Sequence, residues 1–278
     1  MQKQKLYLFE NTMTFTQQAN DIIQKKNSLL CVGLDSVIEK MPKSIQNSDD
    51  PLFNFNKEII DATAEFASAF KVNLAFYEAH GLAGWRALQK TFEYLPDDVV
   101  KIADAKRGDI GNTAKMYADA VFEELKADAV TVNPYMGFDA AEPFLRDETK
   151  GVFFLCLTSN SGSQDFQHFT NGQEKLYEKI AATVKSWNTK GNCGLVVGAT
   201  HPEELSGIRA IAGDMPFLIP GIGAQGGDLE ASVKHGASRA AAFFNSSRGI
   251  IYTSNGNNFA QAAAHAAKQT MQQLNNAR

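Results

Sequence analysis

Cysteine is scarce. The 278-residue chain has three, Cys31, Cys156 and Cys193, far apart and each set among apolar residues. An odd, scattered set gives neither a disulfide framework nor zinc-type spacing, so the three read as reduced core thiols of a cytosolic protein. The five histidines, His80, His168, His201, His235 and His265, form no H-x-x-x-H pair, so no metal site is signalled. Runs of lysine or arginine are missing too, and 27 basic against 31 acidic side chains leave a net charge of −4. That balance argues against binding nucleic acid or an anionic membrane through bulk charge. No apolar stretch approaches the roughly 20 residues of a membrane span. The first residues, "MQKQKLYLFENTMTF", lack the apolar core and cleavage site of a secretory signal, and residues 1–14 read as an extension ahead of the first helix.

What is present is alternation. Short, continuous apolar runs at Leu29–Leu34, Phe70–Phe76, Val99–Ala103, Ala129–Asn133, Val152–Thr158, Gly194–Ala199, Phe217–Gly221 and Ala240–Asn245 suit parallel strands covered on both faces. Helical patterns separate them. "TFTQQANDIIQKK" reads as a helix before the first strand. "DPLFNFNKEIIDATAEFAS" carries Phe55, Ile59, Ala62 and Phe66 on one face. "NTAKMYADAVFEELKA" predicts a helix capped by Asn112 or Thr113, with Met116, Ala120 and Leu125 inward. No linker rich in Pro, Gly or Ser divides the chain. Eight such units predict one α/β domain over residues 15–278, a single (β/α)8 TIM barrel with an additional N-terminal helix. A doubly wound open sheet is the alternative on pattern alone.

A barrel demands that active groups sit at the C-terminal ends of strands. Asp35, Lys71, Asn73, Asp104, Lys106 and Ser159 all fall there. After the seventh and eighth strands come "IPGIGAQGGD" (219–228) and "FFNSSRGI" (243–250), the usual barrel positions for a phosphate group. Gly221, Gly223, Gly226 and Gly227 would let backbone N–H groups approach an anion. Gln225 supplies an amide, Ser247 a hydroxyl beside the turn and Arg248 a forked cation.

The stretch "KIADAKRGDIGNT" (101–113) carries the chemistry. Along a strand end, Asp104 and Lys106 are two residues apart and leave on one face. Asp109 lies beyond them, and Lys71 on the second strand would neighbour Asp104. An alternating Lys–Asp–Lys–Asp array follows, in which the carboxylates favour the charged form of Lys106, a poised general acid rather than a Schiff-base nucleophile. The plainer reading of D-x-K is an ion-pair network tying two strands together. The barrel position and the paired phosphate loops favour a site.

"DAKRGDIGNT" resembles the D-x-K-x-x-D signature of orotidine 5′-monophosphate decarboxylases. "CVGLD", "FKVNLAFYE", "LCLTSN", "PGIGAQGGD" and "NSSRGI" match the family's other site segments in order, from about residue 15 to the C-terminus. "NPYMG" and "TSN" resemble its long bacterial branch. The resemblance implies cofactor-independent decarboxylation of a nucleotide in pyrimidine biosynthesis by a cytoplasmic homodimer without a metal. It implies that Asp35 and Lys71 hold the ribose hydroxyls beside Asn73, that Asp104 lies against the substrate carboxylate, and that Lys106 protonates the ring carbon. Asp109 and Thr113 would reach the other subunit's site, Ser159 the pyrimidine, and Gln225 and Arg248 the phosphate. Insertions at 36–55 and 160–173 leave open which residue of Thr158–Ser159–Asn160 meets the base. A magnesium-dependent relative such as hexulose phosphate synthase also shares D-x-K, but "KRGDIG" and the lack of a "TADAG"-like stretch argue against it. A non-catalytic phosphate-binding barrel is the remaining alternative.

Overall fold

Eight apolar runs long enough for only four to eight residues of strand each can bury both faces by closing on themselves inside a ring of helices. The computed structural model, which describes residues 12–199, 202–222, 229–238 and 240–278, has this arrangement. Strands β1 (Leu30–Gly33), β2 (Ala69–Asn73), β3 (Val100–Arg107), β4 (Ala129–Val132), β5 (Gly151–Leu157), β6 (Cys193–Val197), β7 (Phe217–Pro220) and β8 (Ala242–Ser246) form a closed barrel in sequence order. Every neighbouring pair is parallel, and β1 returns to β8 through Leu30↔Phe244 and Val32↔Ser246.

Helix α1 (Phe15–Lys26) precedes the barrel. Its start is fixed by a reciprocal cap, in which Gln17 N–H donates to Oγ1 of Thr14 and Thr14 N–H donates to Oε1 of Gln17. Phe15 enters the base of the barrel edge-on to Phe153, with centroids 5.8 Å apart, and Phe153 meets Phe243 at 6.2 Å. Helix α2 (Pro51–Thr63) turns Phe55, Asn56, Ile59 and Ile60 inward, and α3 (Gly81–Tyr94) stops ahead of Pro96. The thiols of Cys31, Cys156 and Cys193 are free and buried, as the sequence suggests.

Two strand ends differ from the sequence reading by more than two residues. β2 ends at Asn73, because Asn73 Oδ1 accepts the N–H of Ala75 and starts a short helix, Ala75–Glu78. β3 runs past Ala103 to Arg107, so Asp104 and Lys106 lie within the strand and Asp109 beyond it. Helix α4 (Gly111–Asp119) begins after Ile110 without a side-chain cap, so neither Asn112 nor Thr113 plays that part. Its inward face is Ala114 and Ala118. Met116 is 57% exposed and Ala120 is exposed as well.

Candidate active site

The register of β2 and β3 sets Lys71 opposite Ile102 and Asn73 opposite Asp104, so Asp104 sits one layer above Lys71. The lysine's four-carbon stem spans that step. Its Nζ lies 2.9 Å from Oδ2 of Asp104 and 3.3 Å from Oδ1 of Asp35. Lys106 Nζ lies 2.6 Å from Oδ1 of Asp104. The side chains of Lys71 and Asp104 are 6% and 8% exposed, whereas that of Lys106 is 50% exposed. The inner pair therefore lies buried beneath a cation that faces the barrel mouth.

Lys106 reaches this place by a route that strand alternation does not predict. Its φ is +47°, and the β3–β4 pairing shifts between Ala103 and Arg107. A left-handed lysine costs on the order of 1 kcal/mol. Thr131 offsets that cost. Its hydroxyl accepts the Lys106 N–H at 2.9 Å and donates to Asp104 Oδ1 at 2.9 Å, fixing both members of D-x-K from β4. Sequence reading missed Thr131, because a lone threonine in an apolar strand gives no signal.

Burial alone would raise the Asp104 carboxyl, but the ammonium groups of Lys71 and Lys106 outweigh it and hold it below the usual carboxylate range. Burial alone would lower Lys71, but Asp104 and Asp35 outweigh it and hold its ammonium above the usual range. Beneath them, burial pushes the Cys31 thiol up to about 12 despite the nearby Lys71, so this sulfur stays protonated.

Asp35 sits on a loop held by a polar network inside the protein. Ser36 Oγ donates to Asn56 Oδ1 at 2.6 Å, Asn56 Nδ2 donates to the hydroxyl of Tyr77 at 2.8 Å, and Tyr77 donates to the carbonyl of Leu34 at 3.0 Å. Asn56 and Tyr77 are fully buried, so their bonds are paired groups in a low-dielectric setting, where loss of a partner is costly. Arg107 turns away from the array and pairs with Glu78 at 2.6 Å.

The structure does not bring every expected residue to the array. Asp109 accepts the N–H of Ile110 and makes no ion pair among the described residues, and Thr113 is exposed on α4. Asn73 is half-buried at the end of β2. In the β5 loop, Gln167 occupies Thr158 by accepting its N–H at 2.8 Å and donating to its hydroxyl at 2.8 Å, and the Thr158 hydroxyl donates to Asn160. The Ser159 hydroxyl has no hydrogen bond to the described residues.

At the opposite side of the mouth, Gly221 has φ +99°, a conformation that side chains disfavour. Gly223, Gln225, Gly226 and Gly227 lie outside the described residues. Ser247 sits directly over β1. A Cβ on Gly33 would fall 2.0 Å from its Oγ, so only glycine permits the approach. Asn245 Nδ2 donates to the same Oγ at 3.3 Å. Arg248 opens the short helix Arg248–Ile251 with its guanidinium exposed, beside a cavity of about 960 Å3 lined in part by Ile222, Ser246 and Gly249. Among the described residues, no group of three or more His, Cys, Asp or Glu side chains is arranged to hold a metal ion.

The geometry matches known proteins over nearly the whole chain. A decarboxylase of that name from Dehalococcoides mccartyi, orotidine 5′-phosphate decarboxylase, is 49% identical over 272 residues, covering 96% of this chain and 99% of the relative. The solved OMP decarboxylase of Leishmania donovani superposes with a TM-score of 0.82 at 39% identity, over 95% of this chain and 98% of that one. UMP synthase of the same organism gives 0.84 at 41% identity, and there this chain spans only 56% of the larger protein. A family model covers residues 28–263. The chain belongs to the orotidine 5′-phosphate decarboxylase / HUMPS family.

Proposed function

We propose that the chain converts orotidine 5′-monophosphate to uridine 5′-monophosphate and carbon dioxide. The carrying observation is the ladder Lys71–Asp104–Lys106, with both carboxylate oxygens of Asp104 occupied and the Lys106 ammonium at the barrel mouth. When the bond from the pyrimidine ring to its carboxylate breaks, the electron pair stays on a ring carbon with no adjacent carbonyl to spread it. A cation already in place stabilises that carbon, and Lys106 then transfers a proton to it and regains one from water. The charge is set before reaction, so little reorganisation is needed.

The other roles follow the same axis. Asp35 and Lys71 hold the ribose hydroxyls with Asn73 beside them, Ser159 meets the pyrimidine, and Arg248, Ser247 and Gln225 hold the phosphate with amides of the Gly221, Gly223, Gly226 and Gly227 loop. The phosphate lies far from the reacting carbon, and its binding energy orients the ring.

A homodimer completes the site. Ile110 ahead of α4, Met116 on α4, and Tyr135, Met136 and Phe138 after β4 are 53%, 57%, 91%, 44% and 49% exposed. Apolar side chains exposed together flank Asp109 and Thr113, which supports a second copy covering them and those two residues reaching its site.

The test is a spectrophotometric decarboxylation assay on orotidine 5′-monophosphate with EDTA present. Turnover unaffected by the chelator is expected, and absence of turnover overturns the reading. Light scattering checks the dimer.

A further inference from the structure

Tyr252 ends the short helix Arg248–Ile251, with its N–H on the carbonyl of Arg248 at 3.3 Å. Its hydroxyl leaves that segment altogether. It donates to the carbonyl of Asp35 at 3.0 Å and accepts the N–H of Val37 at 2.5 Å, bracketing the turn that carries the Asp35 carboxylate. The ring is seated by stacking on Phe55, 5.8 Å away with planes 19° apart, and Phe55 stacks on Phe259 at 5.4 Å and 14°. Burial pushes the phenol up to about 12, so the hydroxyl keeps the proton it donates.

The other holds on residues 34–36 come from Asn56, Lys71 and Tyr77, which lie early in the chain; the Lys71 carbonyl accepts the Leu34 N–H at 2.9 Å. Tyr252 alone among these reaches across the β8–β1 seam, from the segment that carries Ser247 and Arg248. The same seam is closed at Gly33, where Ser247 takes the space of a side chain. Two contacts thus tie the β8 turn to the end of β1. One ends on backbone next to Asp35, whose Oδ1 holds Lys71 at 3.3 Å.

We infer that Tyr252 is a positioning residue that couples the phosphate end of the site to Asp35 and, through Lys71, to the charged array. The inference rests on the functional reading above. A phosphate held by Arg248 and Ser247 fixes the Arg248–Tyr252 segment, and the phenol passes that fixed position to the Asp35 turn. Without a phosphate, the tie has little to transmit. A stacked tyrosine suits this task, because its rigid ring carries two hydrogen bonds on one oxygen.

Tyr252→Phe keeps the ring and removes only the hydroxyl. Decarboxylation of orotidine 5′-monophosphate is measured for the unmodified chain, Y252F, R248A and the double variant. Y252F is expected to lower kcat about tenfold, the scale of one hydrogen bond acting in the transition state. In the R248A background the same change is expected to cost less than about twofold. Equal losses in the two backgrounds overturn the coupling, as does a loss confined to KM. On orotidine, which lacks the phosphate, Y252F and the unmodified chain are expected to react equally, and equal losses on both substrates overturn the coupling.

Amide exchange in the unmodified chain supplies a reading that needs no variant. Inorganic phosphate is expected to slow exchange of the Val37 N–H by about threefold or more, and an unchanged rate overturns the coupling. Failure of the unmodified chain to decarboxylate orotidine 5′-monophosphate overturns the functional reading and this inference with it. Turnover with additive losses overturns the role of Tyr252 alone.

Discussion

The hydroxyl of Thr131 lies 2.9 Å from Oδ1 of Asp104 and, through its second lone pair, 2.9 Å from the amide of Lys106. One uncharged group on β4 thereby sets both the carboxylate and the backbone of the left-handed lysine. Thr131→Val keeps the shape and removes both bonds. Its expected effect is a fall in kcat of about ten- to a hundredfold, the scale of one or two hydrogen bonds, with KM changed less. Steady-state kinetics with a thermal melt checks it.

Lys106→Ala removes the cation and the proton donor together. A loss in kcat of roughly 10³-fold or more is expected, the combined scale of a general acid and a preset charge. Because half of its side chain faces solvent, the variant is expected to melt within a few degrees of the unmodified chain. Near-normal turnover in the same assay would remove Lys106 from the chemistry.

Asp104 ties stability to pH. Its carboxyl lies lower in the folded chain than in the unfolded one, so it binds its proton more readily once unfolded. Its stabilising contribution is complete above the unfolded value near ~3.9 and is lost as pH falls toward the folded value. Lys71 runs the other way. Held above the usual range, it contributes fully below ~10.4 and loses that contribution only as pH climbs through its higher folded value. Urea midpoints are therefore expected to stay level with respect to this pair from about pH 5 to 10 and to fall outside. Asp104→Asn leaves Lys71 buried with one fewer anion, and a loss of about 3 kcal/mol at neutral pH is expected from the same titrations.

Arg248→Ala is expected to raise KM for orotidine 5′-monophosphate by about a hundredfold, the scale of a charge-assisted phosphate contact. Turnover of orotidine, without a phosphate, is expected to change little. Comparing the two substrates separates a phosphate role from general damage.

Much of this was legible in the sequence for a physical reason. Continuous apolar runs such as Phe153–Leu157 announce strands buried on both faces, and D-x-K announces itself by placing charge where such a run ends. The lysine's left-handed turn was not legible, because φ depends on what Thr131 offers from another strand. Asn56 and Tyr77 look like ordinary helical positions until the fold joins them to Ser36 and Leu34. Asn112 and Thr113 have capping chemistry yet stand free, since the helix takes its first turn from the β3 loop and not from a side chain. Met116 carries an inward helical spacing and is exposed, because the inward face of α4 is set by Ala114 and Ala118.

The three thiols give a further check. Burial pushes Cys31, Cys156 and Cys193 up to about 12 each, so at pH 8 none is a thiolate. A disulfide reagent is expected to leave the folded enzyme unlabelled and active, and to titrate all three after denaturation. Labelling of the native chain at a rate that follows loss of activity would place a thiol in the site.

With Phe15 stoppering the floor and Phe153 and Phe243 filling the axis above it, the barrel is a cup and not a tube. Whatever goes in must come out over the same rim. On the function proposed above, carbon dioxide and nucleotide share that one way out, and a grip on the phosphate too tight to let go would slow turnover as surely as one too weak to take hold.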